Sequence, residues 1–154
     1  FYRYAKEHPD MKYVYRKSEN EQLNYYTNTG KYLGNINQRD KFISLMRKAR
    51  IALYCTPEID TDHKRANGYN PVTPRFLEML SCGAHIIARY EPNPDTEYYH
   101  LSEFSPSINT YQEFSDAMDY CRSHKVDMLK YSNYLEQHYT SVRAKQLDEI
   151  IKKL

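Results

Sequence analysis

The stretch at residues 70–89, NPVTPRFLEMLSCGAHIIAR, decides the fold. Thr73 is a good helix N-cap with Pro74 at the first helical position. Gly83 can end the helix with a left-handed residue, and the apolar run at 84–88 follows at once as a strand. On a helical wheel Phe76, Leu77, Met79 and Leu80 share one broad apolar face, with Glu78 in the middle of the other. The lone acid is therefore expected outside the core.

Upstream, the run IALYC at 51–55 is closed by Thr56-Pro57 and reads as a strand buried on both faces, as parallel sheets require. A long polar loop, 58–70, joins it to the helix. Before it, Asn37 can cap a helix with Asp40 three residues on, and Phe42, Leu45, Met46 and Ala49 recur at i, i+3, i+4 and i+7. Residues 1–8 read as the end of a helix stopped by Pro9-Asp10, 11–15 as a strand, 17–28 as a polar loop and 32–34 as a short strand ending at a glycine turn.

Downstream, a second loop spans 90–102 and a short strand is expected at 104–108. Thr110 with Glu113 forms a capping box opening a helix that carries Phe114, Ala117, Met118 and Cys121. The tail from 126 is helical, with Asp148/Lys152 and Glu149/Lys153 as favourable i, i+4 pairs. Strands alternating with helical crossovers predict an α/β domain, a Rossmann-like parallel sheet flanked by helices. Ligands bind such sheets at the carboxyl ends of the strands, where the 58–70 and 90–102 loops lie.

With 154 residues the chain suits one compact domain, which at this size buries roughly 70% of the surface of the unfolded chain. A net charge of +2 lacks the strong basic field of a dedicated nucleic-acid binder, so no nucleic-acid partner is expected. Cys55, Cys82 and Cys121 each sit in an apolar stretch without a C-x-x-C spacing and read as reduced core thiols of a cytoplasmic protein. No apolar run approaches the roughly 18 residues of a membrane span, which leaves peripheral association at the inner membrane face open. The 17 tyrosines are spread along the chain without a repeat, and many half-buried rings are expected.

Two readings of Glu78 compete. In one it is a solvated residue paired with Arg75 at i, i+3, contributing a few tenths of a kcal/mol. In the other it is a ligand, because a helix start after a loop at the ligand end of a sheet is an anion site. Phosphate would sit at Thr73 and Arg75. One turn on, the two oxygens of Glu78 would accept hydrogen bonds from the vicinal hydroxyls of a ribose.

The stretch TPRFLEMLSCGAHIIAR resembles the donor-binding motif of GT-B fold glycosyltransferases, in which Glu, two apolar residues, two small residues and Gly lead into a strand. GKYLGNINQRDKFISLMRKARIALYCTP and FSPSINTYQEFSDAMDYC are similar to neighbouring elements of the same family, in the same order. The form Arg-Phe-Leu-Glu is closest to the group 1 and spore-maturation-type members.

The resemblance implies that this chain is one half of a GT-B glycosyltransferase, the C-terminal donor-binding domain. Glu78 would hold the ribose of a UDP-, GDP- or ADP-linked sugar, which is a substrate, with no cofactor. It further implies a metal-independent transfer in which Arg75, Thr73 and the helix start neutralise the departing diphosphate. Pro74 belongs to that turn, Lys64 and Arg65 are weaker candidates from the preceding loop, and Gly34 lies where the family brings backbone near the base. Many retaining members carry a second acid eight residues before the ribose glutamate. Asn70 stands there, so neither retention nor inversion is assigned and no catalytic residue is named. The family's first strand and its acceptor-binding domain are expected upstream of Phe1, and the acceptor is a saccharide, a lipid-linked glycan or a protein.

Other features point elsewhere or nowhere. Glu91, Asp95 and Glu97 of the 90–102 loop are expected to face solvent, although in the family that segment approaches the donor sugar. His8, His63, His85, His100, His124 and His138 show no metal-binding spacing, and only His63 falls in a long ligand-end loop. No P-loop or G-x-G-x-x-G occurs. Another nucleotide-sugar enzyme, such as an epimerase or polyol-phosphate transferase, and a non-enzymatic or receiver-like α/β interaction domain are the alternatives. A receiver would need acids at the ends of its early strands, and 32–34 and 51–55 supply none.

Overall fold

The computed structural model describes residues 1–19, 22–35, 39–57, 59 and 69–153. The chain divides into two compact units, Phe1–Lys48 and Ala49–Leu154. In the first, α1 (Tyr2–Glu7) ends at His8, whose Nδ1 donates to the Tyr4 carbonyl at 3.0 Å while its ring stacks on Tyr4. Three antiparallel strands follow in the order β1 (Val14–Glu19), β2 (Gln22–Thr27), β3 (Tyr32–Asn35).

The polar loop expected at 17–28 is thus in large part strand. Tyr15 faces Tyr26 across β1 and β2, their rings 5.8 Å apart, and Tyr26 meets Tyr32 of β3 at 5.4 Å. Cross-strand aromatic pairs of this kind stabilise a sheet by roughly 0.2–1 kcal/mol each, and they override the polar residues between them. Gly30, at φ +84°, closes the β2–β3 turn as its N–H bonds the Thr27 carbonyl. The Tyr32-to-Gly34 run does not stop at its glycine, because β3 continues to Asn35 beside a register shift at Tyr25/Tyr26. Helix α2 (Arg39–Met46) is where its periodicity puts it, and its expected cap Asn37 lies outside the described residues.

The second unit is mixed α/β. β4 (Ile51–Cys55) pairs in parallel with β5 (His85–Arg89), and α3 (Arg75–Ser81) crosses between them. Gly83 ends α3 as expected. At φ +71° its N–H bonds the Leu80 carbonyl and the Ala84 N–H reaches the Met79 carbonyl, the paired bonds of a Schellman motif. β4, however, is not buried on both faces: Ala52 and Tyr54 are buried, while Leu53 and Cys55 are exposed. Among the described residues, buried and exposed side chains alternate along it, as on a strand covered on one side. None of the three cysteines forms a disulfide, yet only Cys121 is a core thiol, its pKa pushed up to about 11 by burial, while Cys55 is exposed and Cys82 intermediate.

The expected 90–102 loop contains two short helices, α4 (Pro94–Tyr98) and α5 (Leu101–Phe104). The strand expected at 104–108 is reduced to a single parallel bridge, Ala88 to Ser107, because α5 takes its first residue and serine hydroxyls replace backbone in the ladder. Ser105 Oγ accepts from the Ala88 N–H at 2.8 Å, and Ser107 Oγ accepts from the Tyr90 N–H at 3.0 Å and donates to the Tyr90 carbonyl at 2.6 Å.

Thr110 and Glu113 form the predicted capping box of α6 (Tyr111–Ser123). Backbone N–H bonds from Asn109 and Thr110 hold the exposed Glu113 carboxyl below its usual range. α7 (Met128–Glu136) and α8 (Thr140–Ile151) complete the tail, and Asp148 and Lys152 pair at 2.6 Å. At the amino ends of the parallel strands, Arg50 donates to the Cys121 and His124 carbonyls, both at 3.0 Å, and His85 Nε2 donates to His124 at 2.9 Å. Together they close the carbonyl end of α6, where the helix dipole favours the positive charge of Arg50.

Aromatic rings fill the core of this unit. Phe76 is fully buried among Tyr54, Phe104 and Tyr134, with centroids 5.7, 5.8 and 6.3 Å away. Their polar tips are anchored: Tyr131 donates to the Ala84 carbonyl, Tyr134 to Tyr99 and Tyr90 to Ser105. Burial pushes the Tyr131 hydroxyl up to about 12 and raises those of Tyr134, Tyr54 and Tyr90.

Candidate functional site

The carboxyl ends of β4 and β5 bring together the segment at 69–74, the start of α3 and the start of α4. Tyr54, the penultimate residue of β4, accepts from the Thr73 N–H at 2.9 Å. Asn93 caps α4, its side-chain oxygen accepting from the N–H groups of Asp95 and Thr96, and its Nδ2 donates to the Asn70 carbonyl at 3.0 Å. That cap directs Asp95 at the opposite segment, where its carboxylate accepts from the Val72 N–H at 2.5 Å. Three side chains, from a strand, a helix cap and the first turn of a short helix, therefore fix the backbone that leads into α3.

This arrangement changes two expectations. Thr73 is not the N-cap: that position is Pro74, at φ −53° and ψ −19°, with no side-chain cap bond, and Arg75 opens the helix. Tyr54 takes the Thr73 N–H, and the Thr73 hydroxyl lies 3.5 Å from the Tyr54 oxygen instead of turning onto the helix. Just before the helix, Asp95 and Tyr54 hold the N–H groups of Val72 and Thr73. Asp95 itself is half-buried and structural, whereas Glu91 and Glu97 are exposed as expected.

Glu78 is paired with Arg75 as the i, i+3 spacing predicts, Nη1 to Oε2 at 3.3 Å. Its side chain is only 16% exposed, against 46% for Arg75. The carboxylate is off the core face yet largely covered, so it is no ordinary solvated acid. A partly covered carboxylate beside a guanidinium can accept hydroxyl hydrogen bonds while its charge stays balanced.

Asn70, Thr73, Pro74, Arg75 and Glu78 thus lie within one short run of backbone in the second unit. Gly34 belongs to the Phe1–Lys48 unit, in a strand at φ +111°. Lys64, Arg65 and His63 lie outside the described residues. Tyr54 and Asn93 have no place in the sequence reading, and Asp95 is expected there to face solvent. Asn93-Pro94 followed by Thr96 is a capping signature that could have revealed α4 and hence the direction of Asp95. Beside them the Thr56 side chain is 1% exposed, and its hydroxyl has no hydrogen-bond partner among the described residues. No family model, curated protein or solved structure matches this chain.

Among the described residues no three His, Cys, Asp or Glu side chains converge as a metal-ligand set, and no helix is long and apolar enough to cross a membrane. The Asp95 bond carries a measurable expectation. Asp95→Ala leaves the Val72 N–H without its acceptor and is expected to lower stability by about 1–2 kcal/mol. Urea unfolding monitored by circular dichroism checks this, and Asp95→Asn, which keeps an acceptor oxygen, should recover part of the loss.

Proposed function

We propose that this chain is the donor-binding part of a GT-B fold glycosyltransferase and binds a nucleoside-diphosphate sugar through the segment at 70–78. The observation that carries the reading is Glu78, a carboxylate 16% exposed and 3.3 Å from Arg75, in a helix entered from the carboxyl end of a parallel strand. The sequence resemblance supplies the ligand: ribose hydroxyls on Glu78, and the diphosphate beside Arg75 and Thr73. In this reading β4 and β5 are two strands of a Rossmann-like parallel sheet. Transfer would go to a saccharide, lipid-linked glycan or protein acceptor held by an upstream domain, without a metal, and in the cytoplasm or at the inner face of the membrane.

Chemically, cleavage of the sugar–phosphate bond leaves negative charge on the diphosphate, and a nearby guanidinium stabilises it as it develops. Because Val72 and Thr73 already spend their N–H groups inside the protein, Arg75 is the principal charge available from this segment. The same ion pair supports a second reading, a non-enzymatic domain in which Glu78 serves only to neutralise Arg75.

Calorimetry with UDP, GDP and ADP separates the two. One of the three is expected to bind in preference to free sugar, and Glu78→Ala is expected to weaken it about 10- to 100-fold, the equivalent of one or two charge-assisted hydrogen bonds. Equal affinity in the variant removes the ribose role, and no binding of any of the three to the unsubstituted chain overturns the glycosyltransferase reading.

A further inference from the structure

His138 lies in the connector between α7 and α8. Its ring stacks on Tyr99 with centroids 5.4 Å apart and planes 21° from parallel, and packs against Tyr134 at 4.4 Å. Arg143, in the first turn of α8, donates from Nη2 to His138 Nδ1 at 2.7 Å. A guanidinium has no acceptor, so Nδ1 must carry a lone pair and the ring proton sits on Nε2. The same guanidinium donates from Nη1 to the Tyr98 hydroxyl and to Gln146 Oε1, and lies 5.1 Å from the centre of the Tyr98 ring.

These contacts matter because α8 is exposed along most of its length. The helix contains no buried residue, and Leu147, Ile150 and Ile151 are 57–60% exposed. Arg143 reaches from it to α4, through Tyr98, and to the connector, through His138. We propose that His138 and Arg143 form a pH-sensitive latch that holds α8 on its unit while His138 is neutral and releases it when His138 takes up a proton.

Arg143 and His100, the charges that act on the ring, both favour that response. Arg143 comes from α8, Tyr98 and Tyr99 from the end of α4, His100 and Glu103 from the start of α5, and Tyr134 from α7. Glu103, the one carboxylate among them, is already paired with His100 at 3.4 Å. A second proton on the imidazole would remove the acceptor for Arg143 and set two cations in contact. Burial first, and then the charges of Arg143 and His100, hold the His138 pKa below its ordinary value. With the docked pKa lowered, the neutral and docked state carries no penalty above the free value near 6.5. As the pH falls below about 6.5 the released state binds the proton more tightly, so docking weakens until the lowered pKa is passed.

Hydrogen exchange of the full chain, followed by mass spectrometry on peptides covering 140–151 and corrected for intrinsic exchange, tests this between pH 5 and 8. Protection of α8 is expected to be lost progressively toward pH 5, while α6 keeps its protection. His138→Gln retains an acceptor for Arg143 and cannot take up a proton, so its α8 should stay protected at pH 5. Arg143→Gln should expose α8 at every pH, and His100→Gln should leave the transition in place. A transition that survives in His138→Gln, or α8 protection independent of pH in the unsubstituted chain, overturns the latch. Nitrogen NMR of His138 gives a reading free of substitution: a proton on Nε2 at pH 8, and a titration that coincides with loss of α8 protection. Titration separated from that loss overturns the proposal equally.

Discussion

Phe76→Ala is expected to destabilise the unit at 49–154 by about 3–5 kcal/mol, the range for truncating a fully buried aromatic ring. Phe76 is 0% exposed and touches rings from β4, α5 and α7. Its removal opens a space that no one neighbour can close, because Tyr54 and Tyr134 are tethered by their hydroxyls to Thr73 and Tyr99. Collapse would break those bonds, so the cost should fall at the upper end of the range. The measurement is the urea midpoint by circular dichroism at constant slope. Phe76→Leu, which keeps most of the volume, should lose about 1.5 kcal/mol or less, and a Phe76→Ala loss under about 1 kcal/mol would contradict a central role for the ring.

Gly83→Val is the second large effect, about 2–4 kcal/mol, and it has two separable parts. At φ +71° the residue between α3 and β5 is left-handed, which costs a side-chain-bearing residue roughly 1–2 kcal/mol and a β-branched one more. A Cβ there would also stand 3.2 Å from the Met128 sulfur and 3.4 Å from its methyl carbon. Thermal unfolding of Gly83→Val, Gly83→Asn and Gly83→Val combined with Met128→Ala divides the two. Asparagine tolerates the left-handed region and should cost less than valine. Recovery in the double variant measures the contact with Met128, and the part not recovered is the backbone strain.

What could be read from the sequence was whatever depended on short-range chemistry. The glycine at 83 specified a helix stop and a strand start. Thr110 and Glu113 specified α6, and the apolar run at 51–55 specified β4. What escaped depended on partners distant in sequence. Gln22–Thr27 is polar enough to pass for a loop until Tyr15 and Tyr32 flank Tyr26 across the sheet. Thr73 has the chemistry of a cap, but a tyrosine 19 residues earlier competes for it.

Within the candidate site, the Arg75–Glu78 pair followed from spacing alone. How far Glu78 is covered did not, because the wheel of one helix says which way a side chain points and nothing about what other elements lie over it. Asp95 shows the same limit: an acid in a proline-rich loop looks solvent-facing until Asn93 caps a helix there and turns it onto Val72.

Ser105 and Ser107 have a consequence for the behaviour of the chain in concentrated solution. A parallel strand with an open edge offers a row of N–H and C=O groups to any other chain, the usual starting point for edge-to-edge aggregation. Beyond β5 part of that row is already occupied: the N–H groups of Ala88 and Tyr90 bond serine hydroxyls, and the carbonyls of the same two residues accept from the Ile108 N–H and from Ser107. Hydroxyls continue no ladder of their own, so the sheet ends there in groups that a foreign strand cannot extend. At Ala88 and Tyr90, two serine hydroxyls take up backbone groups that a foreign strand would need for pairing.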